Sequence, residues 1–257
     1  MPLQRSKELT VALEASQRAA EVVMRYYKQD ITVEQKADAS PVTIADKEAE
    51  KLIQKIIQAY FPEYGFLGEE SGGTHADKEK LWVIDPIDGT KNFIRHIPIF
   101  GILIGLMQYG KCTLGVSNVP GMNELMYGQK GLGAFLNGQS AHVSNIASLE
   151  KGSVSCGGLK HFRTSGRFAG LEKLITRSAR MRVFGDAYAY HLVASGRLEA
   201  VVETKIKIWD IAAPVAIIEA AGGKCTDIDG NPITTDTTTI IASNGKVHDE
   251  IVELFKK

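Results

Sequence analysis

Leu9, Ala12, Leu13, Ala20, Val23, Met24 and Tyr27 recur at helical spacing, which predicts an amphipathic helix over residues 5–28. Residues 29–42 are mostly polar and contain Asp38-Ala39-Ser40-Pro41, a loop signal. A second helix is expected over 44–60, with Ala49, Leu52, Ile53, Ile56 and Ile57 on its apolar face. It should stop at Phe61-Pro62, because the residue before a proline avoids the α region.

The period then changes. Residues 81–84, 99–109, 112–119 and 123–128 read as strands, with Tyr109-Gly110-Lys111 as a hairpin turn. Gly131, Gly133 and Gly138 punctuate a further hairpin that ends near Val143. Beyond Ser144 the pattern alternates: strand 152–157, helix 166–177, strand 180–184, helix 186–195, strand 198–203, helix 210–221, strand 238–242 and helix 247–255. The expectation is an α/β protein in two parts. Residues 1–144 would form an α+β subdomain and residues 145–257 an α/β subdomain.

Composition narrows the classes. The 257 residues are 44% hydrophobic, enough for a large core. Lys+Arg and Asp+Glu both number 30, and a zero net charge argues against a general nucleic-acid binder, which needs a basic surface. Cys112, Cys156 and Cys225 have neither zinc nor disulfide-framework spacing and read as free thiols of a reducing compartment. Met1 to Ser6 lacks the apolar core of a signal peptide. The longest near-apolar run, Ile97 to Met107, is too short for a membrane-spanning helix. A cytoplasmic protein without membrane or nucleic-acid partners is expected.

The candidate chemistry centres on Trp82-Val83-Ile84-Asp85-Pro86-Ile87-Asp88-Gly89-Thr90. A buried strand should stop at Ile84 and the chain should turn at Pro86, presenting Asp85 and Asp88 from one tight loop. Paired carboxylates suit a hard divalent cation, and Gly89 lets backbone N–H groups approach an anion. Three other fragments each have an ordinary reading. Gly68-Glu69-Glu70-Ser71-Gly72-Gly73 also fits a solvated turn. Asp210, in Trp209-Asp210, also fits a helix N-cap. Thr43 and Asp46 also fit a capping box, a reading that can coexist with Asp46 holding the Thr90 hydroxyl.

Taken together, Lys36, Asp46, G-E-E-S at 68–71, D-P-I-D-G-T at 85–90 and W-D at 209–210 resemble the inositol monophosphatase family. Its members are metal-dependent, often lithium-sensitive phosphatases of small phosphate esters. The resemblance covers essentially the whole chain, including Gly222-Gly223 and Ile241-Ala242-Ser243-Asn244. It implies a layered αβαβα sandwich, a homodimer and two to three Mg²⁺ ions per site. Glu69, Asp85 and the Ile87 carbonyl would hold one ion. Asp85, Asp88 and Asp210 would hold a second, and a third would lie near Glu69 and the loop carrying Lys36. Gly89 and Thr90 would bind phosphate. Thr90 and Asp46 would position the attacking water, with Glu70 helping to orient it. Four clustered carboxylates would repel one another without cations, so their ionisation should be coupled to metal binding. No Ser or Cys adjoins a His base, which favours direct hydrolysis.

Substrate choice is expected in the second half, with Asp88 and Asp210 shared between metal and substrate. Inositol phosphatases typically carry small residues after the glycine of Phe184-Gly185-Asp186, whereas an aspartate stands here. Asp186 is either an N-cap or a pocket carboxylate for a cationic substrate group. Gly185-Asp186, and Arg95 where inositol phosphatases usually have His, resemble the histidinol-phosphatase branch. Glu203 matches a substrate-contacting position of the family, and Arg95 would approach the partner subunit's site. The expected activity is Mg²⁺-dependent hydrolysis of L-histidinol phosphate. The alternatives are an inositol-1-phosphate or broad sugar-phosphate phosphatase and, further off, a non-catalytic metal- or phosphate-binding protein.

Overall fold

The computed structural model describes residues 5–36, 40–74 and 78–256; the loop signal at Asp38-Ala39 lies outside them. Helix α1 (Lys7–Tyr26) is followed by a small antiparallel ribbon of β1 (Val33–Gln35) and β2 (Pro41–Thr43), then α2 (Ile44–Tyr60). Strands β3 (Gly65–Gly68), β4 (Gly72–Thr74) and β5 (Lys80–Asp88) lead into the one-turn α3 (Thr90–Phe93). Strands β6 (Gly101–Gln108), β7 (Lys111–Val119), β8 (Glu124–Gln129), β9 (Gly133–Leu136) and β10 (Gln139–Ala141) then run as a meander. The rest alternates: β11 (Ser153–Cys156), α4 (Leu159–Thr164), α5 (Phe168–Arg177), β12 (Arg180–Arg182), α6 (Asp186–Ala194), β13 (Ala200–Thr204), α7 (Ile208–Ala220), β14 (Lys224–Thr226), β15 (Thr239–Ser243) and α8 (His248–Phe255).

Two sheets organise these elements. One has eight strands in the order β10-β9-β8-β7-β6-β5-β3-β4, the other five in the order β12-β11-β13-β15-β14. The side-chain period of two sends alternate residues to opposite faces. On β5, Trp82 and Ile84 join Leu9, Ala12, Ile53 and Ile57 of α1 and α2 in one core. Leu81 and Val83 point the other way, against α6, α7 and Val201, Ile240 and Ala242 of the second sheet. The outer face of that sheet, Val154, Ala200, Val202 and Ile241, is covered by Phe162, Leu171, Leu174, Ile251 and Phe255 of α4, α5 and α8. Helix, sheet, helix, sheet and helix follow in order, the αβαβα arrangement that the resemblance implies. Each fully buried aliphatic side chain contributes roughly 1.5–3 kcal/mol to this packing.

Helix α7 lies very close to the first sheet because that sheet offers it glycines. A Cβ on Gly115 would fall 2.1 Å from the Ala213 carbonyl oxygen, and one on Gly128 would fall 2.8 Å from Ile217 Cα. These contacts set the height of α7, and with it Asp210 in its first turn, over β6 and β7.

Several expectations change. Strand β5 does not stop at Ile84: it runs to Asp88, carrying Pro86 in an irregular stretch where no ladder N–H is demanded. The expected helix 166–177 begins at Phe168, preceded by the separate α4. Strands β1 to β4 and β14 were not predicted; each is three or four residues long, too short for a periodic signal.

Candidate active site

In a regular strand, residues three apart face opposite sides. Asp85 pairs with Leu103 and Asp88 with Gly101, so three steps on β5 match two on β6. This bulge adds a residue and returns Asp88 to the side of Asp85. Asp210 then closes the group. One ligand oxygen from each of Asp85, Asp88 and Asp210 lies within 4.8 Å of the others. Asp210 is not the N-cap. It is the third residue of α7, with Lys207 in the capping position, and its Oδ2 accepts from the Lys207 backbone N–H at 2.8 Å.

Parallel pairing of β3 with β5 sets Gly68 beside Ile84. Parallel strands end on the same side, so the turn after β3 brings Glu69 next to Asp85, and Glu69 N donates to Ile84 O at 3.2 Å. The acidic run is therefore a hairpin turn between β3 and β4, not a free surface loop. Lys36 Nζ donates to Glu69 Oε1 and Glu70 Oε1, both at 2.7 Å.

Helix α2 supplies the next part. Asp46 is fully buried; its Oδ2 accepts from Thr43 N at 2.8 Å and Thr43 Oγ1 at 2.6 Å. Its other oxygen, Oδ1, lies 3.2 Å from Thr90 Oγ1. The capping box and the link to Thr90 thus occur together. Thr90 Oγ1 also lies 3.0 Å from the Ile87 carbonyl, and its single proton serves one acceptor at a time. Gly89, with φ of 89°, adopts the left-handed conformation that joins β5 to α3.

Burial pushes these acids up. Asp85 is raised well above the usual carboxylate range by desolvation, then by Glu69, Asp88 and Asp210. Asp88 is raised by desolvation and by Asp186, Asp210 and Glu203. Asp210 is pushed up to about 7, chiefly by burial. Glu70 is pushed up to about 7 by burial, against the pull of Lys36. Burial also works against the Lys36 ammonium, but its bonds to Glu69 and Glu70 outweigh this and hold its pKa high. Asp88 Oδ2 is buried without a hydrogen-bond partner among the described residues. A buried orphan oxygen within a close set of hard carboxylate donors fits a divalent cation.

Asp88 and Asp210 also line a cavity of about 350 Å³, together with Asn92, His161, Asp186, Tyr190, Glu203 and Lys205. Asp186 is not an N-cap: Gly185 precedes the helix, and no side-chain cap bond forms. Asp186 instead takes φ of 56°, uncommon for a non-glycine residue, and its Oδ2 accepts from Asn92 Nδ2 at 2.8 Å. That oxygen would lie only 3.1 Å from a Cβ on Gly89. Asp186 is pushed up to about 6 by burial, against Lys91. Glu203 is 7% exposed, accepts from Tyr190 Oη at 2.6 Å and is pushed up to about 8, mainly by burial. Arg95 is exposed on the segment after α3 and is not part of this lining. Asn92, His161, Tyr190 and Lys205 were missed from sequence. Asn92 sits two residues beyond Thr90 and Lys205 two beyond Glu203, so both could have been suspected; His161 and Tyr190 reach the cavity only through the fold.

The sequence model of the Inositol monophosphatase family matches residues 4–257. A histidinol-phosphatase of Chlorobaculum parvum is 36% identical over 238 residues, covering 92% of each chain. A fructose-1,6-bisphosphatase/inositol-1-monophosphatase of Thermotoga maritima is 38% identical over 219 residues, 84% of this chain and 82% of that one. The solved structure of a Thermotoga maritima IMPase superposes with a TM-score of 0.88 at 33% identity, covering 97% of each chain.

Proposed function

The chain belongs to the inositol monophosphatase family and is a phosphatase of phosphomonoesters, and we propose that its substrate is L-histidinol phosphate, hydrolysed with Mg²⁺. The observation that carries this reading is Asp186. Its carboxylate is held by Asn92 directly beside Gly89, where an anionic phosphate is to bind. An anion placed there disfavours a phosphate ester unless the substrate brings a cation to the same spot. The amine of histidinol phosphate lies one carbon from the ester carbon and meets that need. Glu203 adds a second acid to the same cavity. Relatives named histidinol-phosphatase in Chlorobaculum parvum and Mycobacterium tuberculosis, 36% and 34% identical, agree with it.

In this reading Glu69, Asp85, the Ile87 carbonyl, Asp88 and Asp210 hold two Mg²⁺ ions, with a third near Glu69 and Lys36. Bound Mg²⁺ supplies Lewis acidity toward the phosphate and lowers the pKa of water. The backbone N–H groups of Gly89 and Thr90 orient the phosphate. Thr90, whose proton is engaged by Asp46 or the Ile87 carbonyl, turns its oxygen toward water as an acceptor. Glu70 helps orient that water from the hairpin turn. Asp88, Asp186, Glu203 and Asp210 face the organic part of the substrate. The two parts of the chain, 1–144 and 145–257, act as subdomains that share the site. We further read the protein as a cytoplasmic homodimer in which Arg95 serves the partner's site. The exposure of Arg95 supports the last point; no described helix is long and apolar enough to cross a membrane.

The second reading is an inositol-1-phosphate or broader sugar-phosphate phosphatase, favoured by the Thermotoga maritima relative's name and by Lys205 and His161 on the cavity wall. Phosphate release with Mg²⁺ from histidinol phosphate, inositol 1-phosphate and fructose 1,6-bisphosphate separates the two. Comparable kcat/KM on all three removes the histidinol assignment.

A further inference from the structure

Glu50 is an acid in the wrong place for a surface helix. It lies one turn after Asp46 on the inner face of α2, among Ala49, Ile53 and Ile57, and is 2% exposed. A buried glutamate requires partners. It finds them on the hairpin turn that carries Glu69 and Glu70. Glu50 Oε2 accepts from Glu70 N at 2.9 Å, and Oε1 accepts from Ser71 N at 2.7 Å. Gly68 opens the way: a Cβ there would fall 2.5 Å from the Glu50 carboxyl carbon.

We infer that Glu50 is a positioning residue of the metal site, which presets the 69–71 turn so that Glu69 meets Asp85 before any cation arrives. The turn is held from two sides. Lys36 binds the carboxylates of Glu69 and Glu70 at their tips, and Glu50 binds the backbone behind them. The two grips differ in consequence. A cation entering at Glu69 competes with Lys36 for the same oxygens, whereas the Glu50 bonds lie on the backbone and persist. Helix α2 thereby orders both edges of the site through one i, i+4 pair, Asp46 toward Thr90 and Glu50 toward Glu69. Without Glu50 the turn must be ordered during metal binding, and affinity falls while the substrate cavity is left intact.

The inference rests on the metal site proposed above, and the test separates the two. Glu50→Gln keeps the shape but turns an amide NH₂ toward one of the two N–H donors. The midpoint Mg²⁺ concentration for thermal stabilisation is expected to rise about tenfold, with KM at saturating Mg²⁺ within about twofold of wild type. In metal-free wild-type protein, the Glu70 and Ser71 amides are expected to exchange slowly with deuterium although Ser71 is exposed. This second measurement needs no variant and stands if Glu50→Gln fails to fold. An unchanged Mg²⁺ midpoint in folded Glu50→Gln, or rapid exchange at both amides, overturns the role of Glu50. Failure of Mg²⁺ to stabilise the wild type, with the amides protected, overturns the metal reading and leaves the backbone grip of Glu50 in place.

Discussion

Asn92 Nδ2 donates to Asp186 Oδ2 at 2.8 Å and to the Ile99 carbonyl at 2.8 Å, joining the α3 segment after the D-P-I-D-G-T motif to the first residue of α6. The bond crosses 94 positions of chain and spans the gap between the Gly89 turn and the cavity lined by Asp88 and Asp210. It also holds Asp186 in its left-handed conformation, so carboxylate placement does not depend on substrate.

If that carboxylate reads a substrate amine, Asp186→Asn should cost about 10- to 100-fold in kcat/KM on histidinol phosphate, the range expected for a lost charged hydrogen bond. The effect on inositol 1-phosphate should be several-fold smaller. Asn92→Ala should follow the same pattern with a weaker effect, because it loosens the carboxylate without removing it. Equal losses on both esters in steady-state assays would exclude charge recognition by Asp186.

The metal-free protein should become less stable as pH rises. Asp85, Asp88 and Asp210 have folded-state pKa values above their unfolded ones, so the folded chain binds more protons. Stability is then fully present below the unfolded carboxylate value near 4 and declines as pH rises toward about 7, where Asp210 titrates. Mg²⁺ should reverse the trend, stabilising more at pH 8 than at pH 5.5. Melting temperatures in EDTA and in excess Mg²⁺ across that range check both signs.

Asp210→Asn should separate stability from function. Removing one charge from a repelling buried cluster should raise metal-free stability at pH 8 by about 1–3 kcal/mol. Phosphatase activity should fall by three orders of magnitude or more on the proposed role, roughly 4 kcal/mol of barrier. A variant no more stable than wild type in EDTA would show that charge repulsion at Asp210 does not destabilise the metal-free fold.

Glycine beneath α7 provides a mechanical test. Gly115→Ala would drive a methyl group into the Ala213 carbonyl, 2.1 Å away, and backbone cannot yield as a flexible side chain does. A loss of about 1–3 kcal/mol is expected, at the usual scale for overpacking. Lifting α7 also moves Asp210, so the Mg²⁺ requirement should rise in parallel. Urea melts with and without Mg²⁺ measure both.

A second titration lies away from the metal cluster. Burial disfavours the Glu124 carboxylate, but His191 and the paired Arg197 outweigh this and hold it down to about 2. Its stabilisation is present above the unfolded glutamate value near 4.3 and is lost as pH falls toward about 2. Glu124→Gln should therefore cost about 1–2 kcal/mol at pH 7, with the difference from wild type shrinking below pH 4. A constant difference between the two urea melts across this range would rule the pairing out as its source.

Much of the architecture is legible in the chain. The 3.6-residue period of α1 and α2, the apolar runs of β6 to β8 and the later alternation are local signals, and the structure follows them to within a few residues. Family membership and the acids Glu69, Asp85, Asp88 and Asp210 could be picked out because motif spacing survives in linear form. Their convergence followed from the family resemblance and from an expected turn at Pro86, not from periodicity. Asp85 and Asp88 share a side not through the expected loop but because the bulge on β5 breaks the alternation of a regular strand. Glu69 joins them through the parallel pairing of the unpredicted β3, and Asp210 through the glycine floor under α7. The choice between cap and pocket for Asp186, and the hidden grip of Glu50, were likewise decided by tertiary contacts. Local periodicity depends on near neighbours along the chain. The site depends on pairings across sheets and on burial, which set both where the charges meet and how strongly they resist meeting without a cation.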